Sequence, residues 1–321
     1  MIKDFSCAFA TSLDSPEHTR IAEKLGYKRA WFYDSPALYP DVWVQLVRAA
    51  EQTEHIGLGP GVLIPHLRHP MVTASAIATL VDAASQNRVA VGVGTGFTGC
   101  VSMGQRPLTW RYVSKYVDSV KRLLNGDEVE WDGGLMKMMH WPGFAPSRPI
   151  NVPFLYAAGG PKGLEVAQQE ANGVILPMDG ASDFDWCVCL TLGTVLENDE
   201  SADSPRALDA AGHGTAVIFH LAMEHGVADI LEDNSDWVRS YESIPPAKRH
   251  ITMHDGHLVG VNEHDQPFID GKLIAANGLA LDSGAWKERI AELSEKGVTE
   301  IAYQPAGSNI PRELEAFSSL F

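Results

Sequence analysis

Short apolar segments, most of them ending on Gly, Asp or Pro, recur along the whole chain, and stretches with helical periodicity separate most of them. Eight stand out: residues 5–10 (FSCAFA), 29–34 (RAWFYD), 55–61 (HIGLGPG), 89–94 (VAVGVG), 152–158 (VPFLYAA), 173–177 (GVILP), 187–196 (CVCLTLGTVL) and 300–305 (EIAYQP). Apolar runs this short, alternating with helices, are the mark of strand–helix units joined in a parallel sheet. Eight such units predict an α/β fold, a closed (β/α)8 TIM barrel. Barrels of this kind do their chemistry at the C-terminal ends of the strands, so the residues just after each segment come first.

Local signals support this division. Ser15-Pro16-Glu17 opens a helix with Pro in its first turn, and Gly26 stops it after Leu25. Asp41 caps a second helix through Glu51, with Trp43, Leu46, Val47 and Ala50 on one face. A third helix is predicted over 70–84. The spacing then widens. The stretch 97–150 holds a helix near 108–124 and an irregular part (WDGGLMKMMHWPGFAPSRP) that predicts a small hairpin over one barrel end. A second long stretch, 197–282, contains an apolar helix over 204–224, a more polar helical part and a loop-like HDGHLVGVNEHD. With no linker or repeat in view, 1–321 reads as one barrel domain carrying two insertions.

Composition narrows the function. The 321 residues are 45% hydrophobic, enough for a large core, and the formal net charge is −16. So acidic a chain is a poor partner for nucleic acid, although local Arg, Lys and backbone N–H groups can still hold an anionic cofactor. No apolar run approaches a membrane span, and the first residues lack the apolar core of a signal peptide. Cys7, Cys100, Cys187 and Cys189 are too few and scattered for a disulfide framework. A cytoplasmic protein without membrane or nucleic-acid partners is expected.

Four strand ends carry candidate chemistry. Asp34 ends the second segment and points into the barrel mouth, as a general acid/base, a partner for a ring N–H, a cap or an ion-pair member. Gly59-Pro60-Gly61-Val62 is at least a tight turn. Gly92-Val93-Gly94-Thr95-Gly96-Phe97 looks superficially like a dinucleotide fingerprint. It lacks the third glycine, and Phe97-Thr98-Gly99-Cys100 is not expected to open a helix, so a backbone wall against a flat ring is the better reading. Ala158-Gly159-Gly160 precedes a helix start beside Lys162, which suits an anion. His66/His69 and His254/His257 are spaced i, i+3, but neither pair belongs to a recognisable ligand set, and no metal is expected.

Together these segments resemble the luciferase-like flavin and deazaflavin oxidoreductases over nearly the whole chain. The matching pieces are AEKLGYKRAWFYDSPALYPDVW, IGLGPGVLIPHLRHP, ASQNRVAVGVGTGF, PFLYAAGGPKGLEVAQQEANGVIL and GVTEIAYQPAG. The resemblance implies a bacterial-luciferase-like barrel, usually dimeric, holding FMN or coenzyme F420 at the C-terminal end. It implies a non-prolyl cis peptide at Gly61-Val62 behind the ring, and contact of Asp34 with ring or substrate. Thr95, Gly96 and Phe97 would flank the ring, and Ala158, Gly159 and Gly160 would bind the ribityl–phosphate arm, with Lys162 beside them. The YDSPALYPDVW stretch is closer to the F420-using branches, whose extended acidic tail would need a basic exit lined by Lys162 and some of Arg68, Arg88, Arg106 and Arg111. Sugar-phosphate dehydrogenases of those branches carry a His and a Glu where this chain has Ser35 and Phe97, which implies a small, more apolar substrate. The leading expectation is F420-dependent hydride transfer. An FMN-dependent monooxygenase and a non-catalytic flavin-binding or scaffold barrel stay open beside it.

Overall fold

The computed structural model describes residues 2–181, 183–226 and 235–321. The first half runs β1 (Asp4–Phe9), α1 (Ser15–Lys24), β2 (Arg29–Phe32), α2 (Val42–Ala50), β3 (Gly57–Pro60), α3 (Pro70–Ala84), β4 (Val91–Gly94), α4 (Phe97–Val101), α5 (Trp110–Asn125), and the hairpin β5 (Val129–Trp131) and β6 (Gly134–Met136). There follow β7 (Phe154–Ala157), α6 (Pro161–Glu170), β8 (Gly173–Pro177), β9 (Cys187–Leu192), β10 (Thr194–Val195) and α7 (Pro205–Glu224). The chain ends with α8 (Ser235–Glu242), α9 (Pro246–Met253), α10 (Gly271–Ala276), β11 (Ala280–Leu281), α11 (Ser283–Glu295), β12 (Glu300–Gln304) and α12 (Ile310–Ser318).

Eight parallel strands form a nearly closed barrel in the order β3-β2-β1-β12-β9-β8-β7-β4. The seam between β3 and β4 is bridged at Leu58–Val89 and Leu63–Val93, and the Leu63 N–H donates to the Gly92 carbonyl at 2.7 Å. All eight predicted segments supply a barrel strand. Strand alternation sorts their side chains. On β2, Ala30 and Phe32 join the outer core against the helices, while Trp31 joins an inner cluster with Ala8, Ala90, Leu155, Val188 and Ala302. The N-terminal end of the barrel is filled: Glu300 accepts from the indole N–H groups of Trp31 (2.9 Å) and Trp186 (2.8 Å), and the Arg29 guanidinium lies over both rings.

Two details differ from the sequence expectation. The segment 187–196 is not one strand. Gly193 takes a φ of 123°, and β10 leaves the barrel to pair in parallel with β11. A helix, α4, also opens directly after β4. Gly96, left-handed at φ 75°, turns the chain, and the Cys100 N–H closes the first turn on the Gly96 carbonyl at 2.7 Å. Cys100 is buried, so a five-residue helix too short to show periodicity is held by packing.

Candidate functional site

The strand ends that carried candidate chemistry meet at the open, C-terminal rim. A cavity of about 240 Å³ is lined by Asp34, Gly61, Val62, Thr95, Gly96 and Phe97, with Ile64, Leu190 and Leu258 among its apolar walls. The Gly61-Val62 peptide is cis. It delivers Val62 against β4, where a side chain on Gly92 or Gly94 would come within 3.2 or 3.0 Å of a Val62 methyl. Glycine at both positions therefore lets the bulge after β3 lie flat on β4.

Asp34 is buried. Its Oδ2 accepts from Arg68 Nη1 at 2.6 Å and from the Ile64 N–H at 3.3 Å. Arg68 also donates to Asp41, the cap of α2, at 3.0 Å. Burial pushes the Asp34 carboxyl above the usual carboxylate range, and the Arg68 guanidinium opposes that shift. Asp34 is thus an ion-paired carboxylate with Oδ1 left over, not an isolated acid. Phe97 stacks on His225 at 5.2 Å, which brings the C-terminal end of α7 to the cavity.

The roof comes from the loop-like part of the second long stretch. Leu258, at φ 59°, lines the cavity, and its carbonyl accepts from Gln304 Nε2 at 2.7 Å. Tyr33 donates to Gln304 Oε1 at 3.2 Å, and Tyr39 donates to the neighbouring His257 carbonyl at 2.7 Å. Sequence reasoning missed Leu258, Gln304 and both tyrosines. For Leu258 the only signal was the short apolar Leu258-Val259 in a loop rich in Gly, His and Asp.

Gly159, Gly160 and Lys162 lie on the same rim at the start of α6, but outside this cavity, as does the buried Ala158. A side chain on Gly159 or Gly160 would meet nothing within 4 Å, and neither has a positive φ, so the fold itself does not demand glycine there. Trp110, the first residue of α5, packs on Gly163 and stacks on Tyr156, setting the N-terminal ends of α5 and α6 side by side. Lys162, Arg106 and Arg111 are exposed near these ends and form no ion pair among the described residues. Two expected exit residues fall elsewhere. Arg88 is buried at the opposite end of β4, donating to the Thr53 and Ile56 carbonyls, and Arg68 is committed to Asp34 and Asp41.

Of the two spaced histidine pairs, His69 caps α3, its Nδ1 accepting from the Met71 N–H. His254 and His257 instead lie buried together with His220 of α7. All four cysteines are free and buried. Among the described residues, no helix is long and apolar enough to cross a membrane.

Known proteins share this architecture. The model of the luciferase-like monooxygenase family matches residues 14–186. A 5,10-methylenetetrahydromethanopterin reductase of Methanolobus tindarius is 28% identical over 311 residues, covering 91% of this chain and 90% of that protein. Among solved structures, the coenzyme F420-dependent tetrahydromethanopterin reductase from Methanopyrus kandleri aligns over 99% of this chain and 98% of its own, with a TM-score of 0.68 at 20% identity. An F420-dependent secondary alcohol dehydrogenase in complex with an F420–acetone adduct aligns over 100% and 98%, with a TM-score of 0.70 at 17% identity.

Proposed function

This chain belongs to the luciferase-like monooxygenase family, and within it we propose an F420-dependent oxidoreductase that transfers a hydride between the deazaflavin ring and a small, fairly apolar organic substrate. The observation that carries the reading is the rim cavity itself: a flat wall where the Gly61-Val62 bulge lies on Gly92 and Gly94 of β4, with open glycines and a lysine at a nearby helix start. A tricyclic ring fits against such a wall and a phosphate fits at such a helix start. The F420-dependent enzymes of similar fold, and the reductases related over nine-tenths of the chain, support F420 over FMN.

When bound, F420 supplies the hydride chemistry, and the chain's residues hold, orient and shield. Val62, with Thr95, Gly96 and Phe97, positions the ring. The Gly159 and Gly160 backbone and Lys162 hold the phosphate arm, whose helix-start N–H groups favour an anion. Asp34 Oδ1 accepts from a ligand N–H or O–H while Arg68 keeps the carboxylate charged and fixed. Leu258, Leu190 and Ile64 exclude water and select an apolar substrate, for which Ser35 and Phe97 leave no acid/base pair suited to a sugar phosphate.

We read the chain as one domain acting in the cytoplasm as a homodimer. Leu135, Met139, Trp141 and Phe144, each 72–84% exposed on and after the β5–β6 hairpin, support a protein contact there. The test of the cofactor is direct. Purified protein is titrated separately with F420 and with FMN while ligand fluorescence is followed. Tighter F420 binding is expected; tight FMN binding with no F420 binding would replace the proposal with a flavin monooxygenase.

A further inference from the structure

We propose that His220, His254 and His257 form a binding site for one divalent transition-metal ion of the zinc type, beside the cofactor cavity and tying its roof to α7. The three residues come from α7, from the end of α9 and from the loop that follows, with His220 distant in sequence from the His254/His257 pair. All three are buried, and each can place one ligand nitrogen within 4.8 Å of the others. His254 Nδ1 and His257 Nδ1 face each other at 3.4 Å. Two imidazole nitrogens on a tetrahedral zinc, at about 2.0–2.1 Å each, stand about 3.3 Å apart.

The outer contacts argue for the same reading. His220 Nε2 is held by the buried Asp265 carboxylate at 2.8 Å, and His254 Nε2 by Glu224 at 2.8 Å. A carboxylate accepts, so each Nε2 carries the hydrogen and each Nδ1 keeps a free lone pair. Metal-ligating histidines are oriented in just this way, by carboxylates on the far nitrogen. Asp265 is itself fixed by Trp237 Nε1 at 2.8 Å and the Tyr241 hydroxyl at 2.9 Å. His220 Nδ1 is fully buried without a hydrogen-bond partner among the described residues, an expensive arrangement unless a ligand takes its lone pair.

His257 completes the set. With His254 Nδ1 as acceptor, His257 Nδ1 carries the proton in the free protein. Binding moves that hydrogen to His257 Nε2, so a neutral imidazole ligates and no net proton need leave. His220 and His257 also line a cavity of about 150 Å³ that shares Phe97, Thr98, Leu190 and Leu258 with the cofactor cavity. Three imidazoles would leave the ion a fourth position for a water or a substrate oxygen, and this cavity lies beside it. Three imidazoles with one open position suit Zn²⁺ or Co²⁺ and not Mg²⁺ or Ca²⁺, which prefer oxygen.

The test needs no enzyme assay. Metal-stripped full-length protein is titrated with Zn²⁺ by calorimetry and with Co²⁺ by visible absorption, Mg²⁺ being the control. One equivalent of Zn²⁺, and the strong visible bands of tetrahedral Co²⁺, are expected. His257→Ala should abolish both, and Asp265→Asn or Glu224→Gln should weaken binding roughly 10–100-fold. His66→Ala, in the unconnected pair, should change nothing. Circular dichroism checks that each variant folds. If a ligand variant does not fold, the wild-type protein decides: zinc should slow hydrogen exchange of amides in 254–260 while leaving those of α1 unchanged. Absence of stoichiometric binding, affinity within threefold of wild type in His257→Ala, or unaltered exchange in 254–260 would each overturn the site.

Discussion

Arg68 closes on Asp34 at 2.6 Å and, with its second nitrogen, on Asp41 at 3.0 Å, so one guanidinium locks the end of β2 to the cap of α2. The residue expected to do chemistry is thereby held as a fixed charge at the cavity wall. Its Oδ2 is spent on Arg68 and Ile64, and only Oδ1 faces other work.

The pair is unequal, which makes it testable. Arg68→Met leaves the Asp34 carboxylate buried and unpaired, a loss of about 3 kcal/mol at pH 7. Asp34→Asn leaves Arg68 its Asp41 partner, and a loss of roughly 1 kcal/mol is expected. Burial already lifts the Asp34 carboxyl above its ordinary 3.8, so above that pH the folded chain binds more protons than the unfolded one, and this group's contribution to stability falls as pH rises. Without Arg68 the lift grows. The deficit of Arg68→Met should therefore shrink as pH drops from 7 toward 5 in urea unfolding. A deficit independent of pH would contradict the pairing.

His213 predicts sensitivity of the opposite sign. It is wholly buried on α7, neither ring nitrogen has a partner among the described residues, and burial lowers it from 6.5 to about 4 against the pull of Asp209. The folded chain resists the proton that the unfolded chain accepts. Stability is whole above pH 6.5 and is lost as pH falls to about 4, by roughly 3 kcal/mol. His257, also pushed down, adds a slope of the same sign. Unfolding of His213→Leu should be flatter than wild type across this window. Parallel curves would show that His213 does not carry the effect.

The barrel was legible because strand burial alternates within very few residues. In RAWF, Trp31 points inward between the outward Ala30 and Phe32, and Asp34, Gly61 and Thr95 reach one rim simply by following their strands. The resemblance to luciferase-like enzymes predicted the cis bond at Gly61-Val62, which spacing alone does not. What stayed hidden depends on contacts between distant segments. Nothing local in PHLRHP marks Arg68 as the partner of Asp34, nor does HDGHLVG show that Leu258 hangs from Gln304. His254 and His257 were visible as a pair, but His220 sits inside an apolar helix where it reads as one more core residue. The break at Gly193 was lost for a related reason, since β10 leaves the barrel only because β11 waits for it.

The exposed apolar residues beyond β6 should govern assembly. The side chains of Trp141 and Phe144 are 72% and 84% exposed, so replacing both with Ser removes apolar surface without opening the core. Circular dichroism should be unchanged, while sedimentation velocity shifts from dimer to monomer. A double variant that still dimerises fully would place the interface elsewhere, and a wild-type monomer would remove the dimer.

The start of α6 offers the sharpest check on the proposed cofactor arm. A side chain on Gly160 meets nothing within 4 Å, so Gly160→Asp should fold normally. Its carboxylate would nevertheless stand at the helix N-terminus proposed to hold the phosphate, and stabilise the helix while repelling the ligand. F420 affinity should fall at least tenfold with the melting temperature unchanged or slightly raised. Lys162→Ala should cost less, about threefold. It should also flatten the decline of affinity with salt, because an exposed charge contact is screened at ordinary ionic strength. Arg106→Ala and Arg111→Ala should act like Lys162→Ala if the acidic tail leaves between the ends of α5 and α6. Arg88→Ala, at the closed end of the barrel, should weaken the fold and leave the salt dependence alone. F420 titrations at two salt concentrations across these variants decide the matter: unchanged affinity in Gly160→Asp would move the arm to another part of the rim.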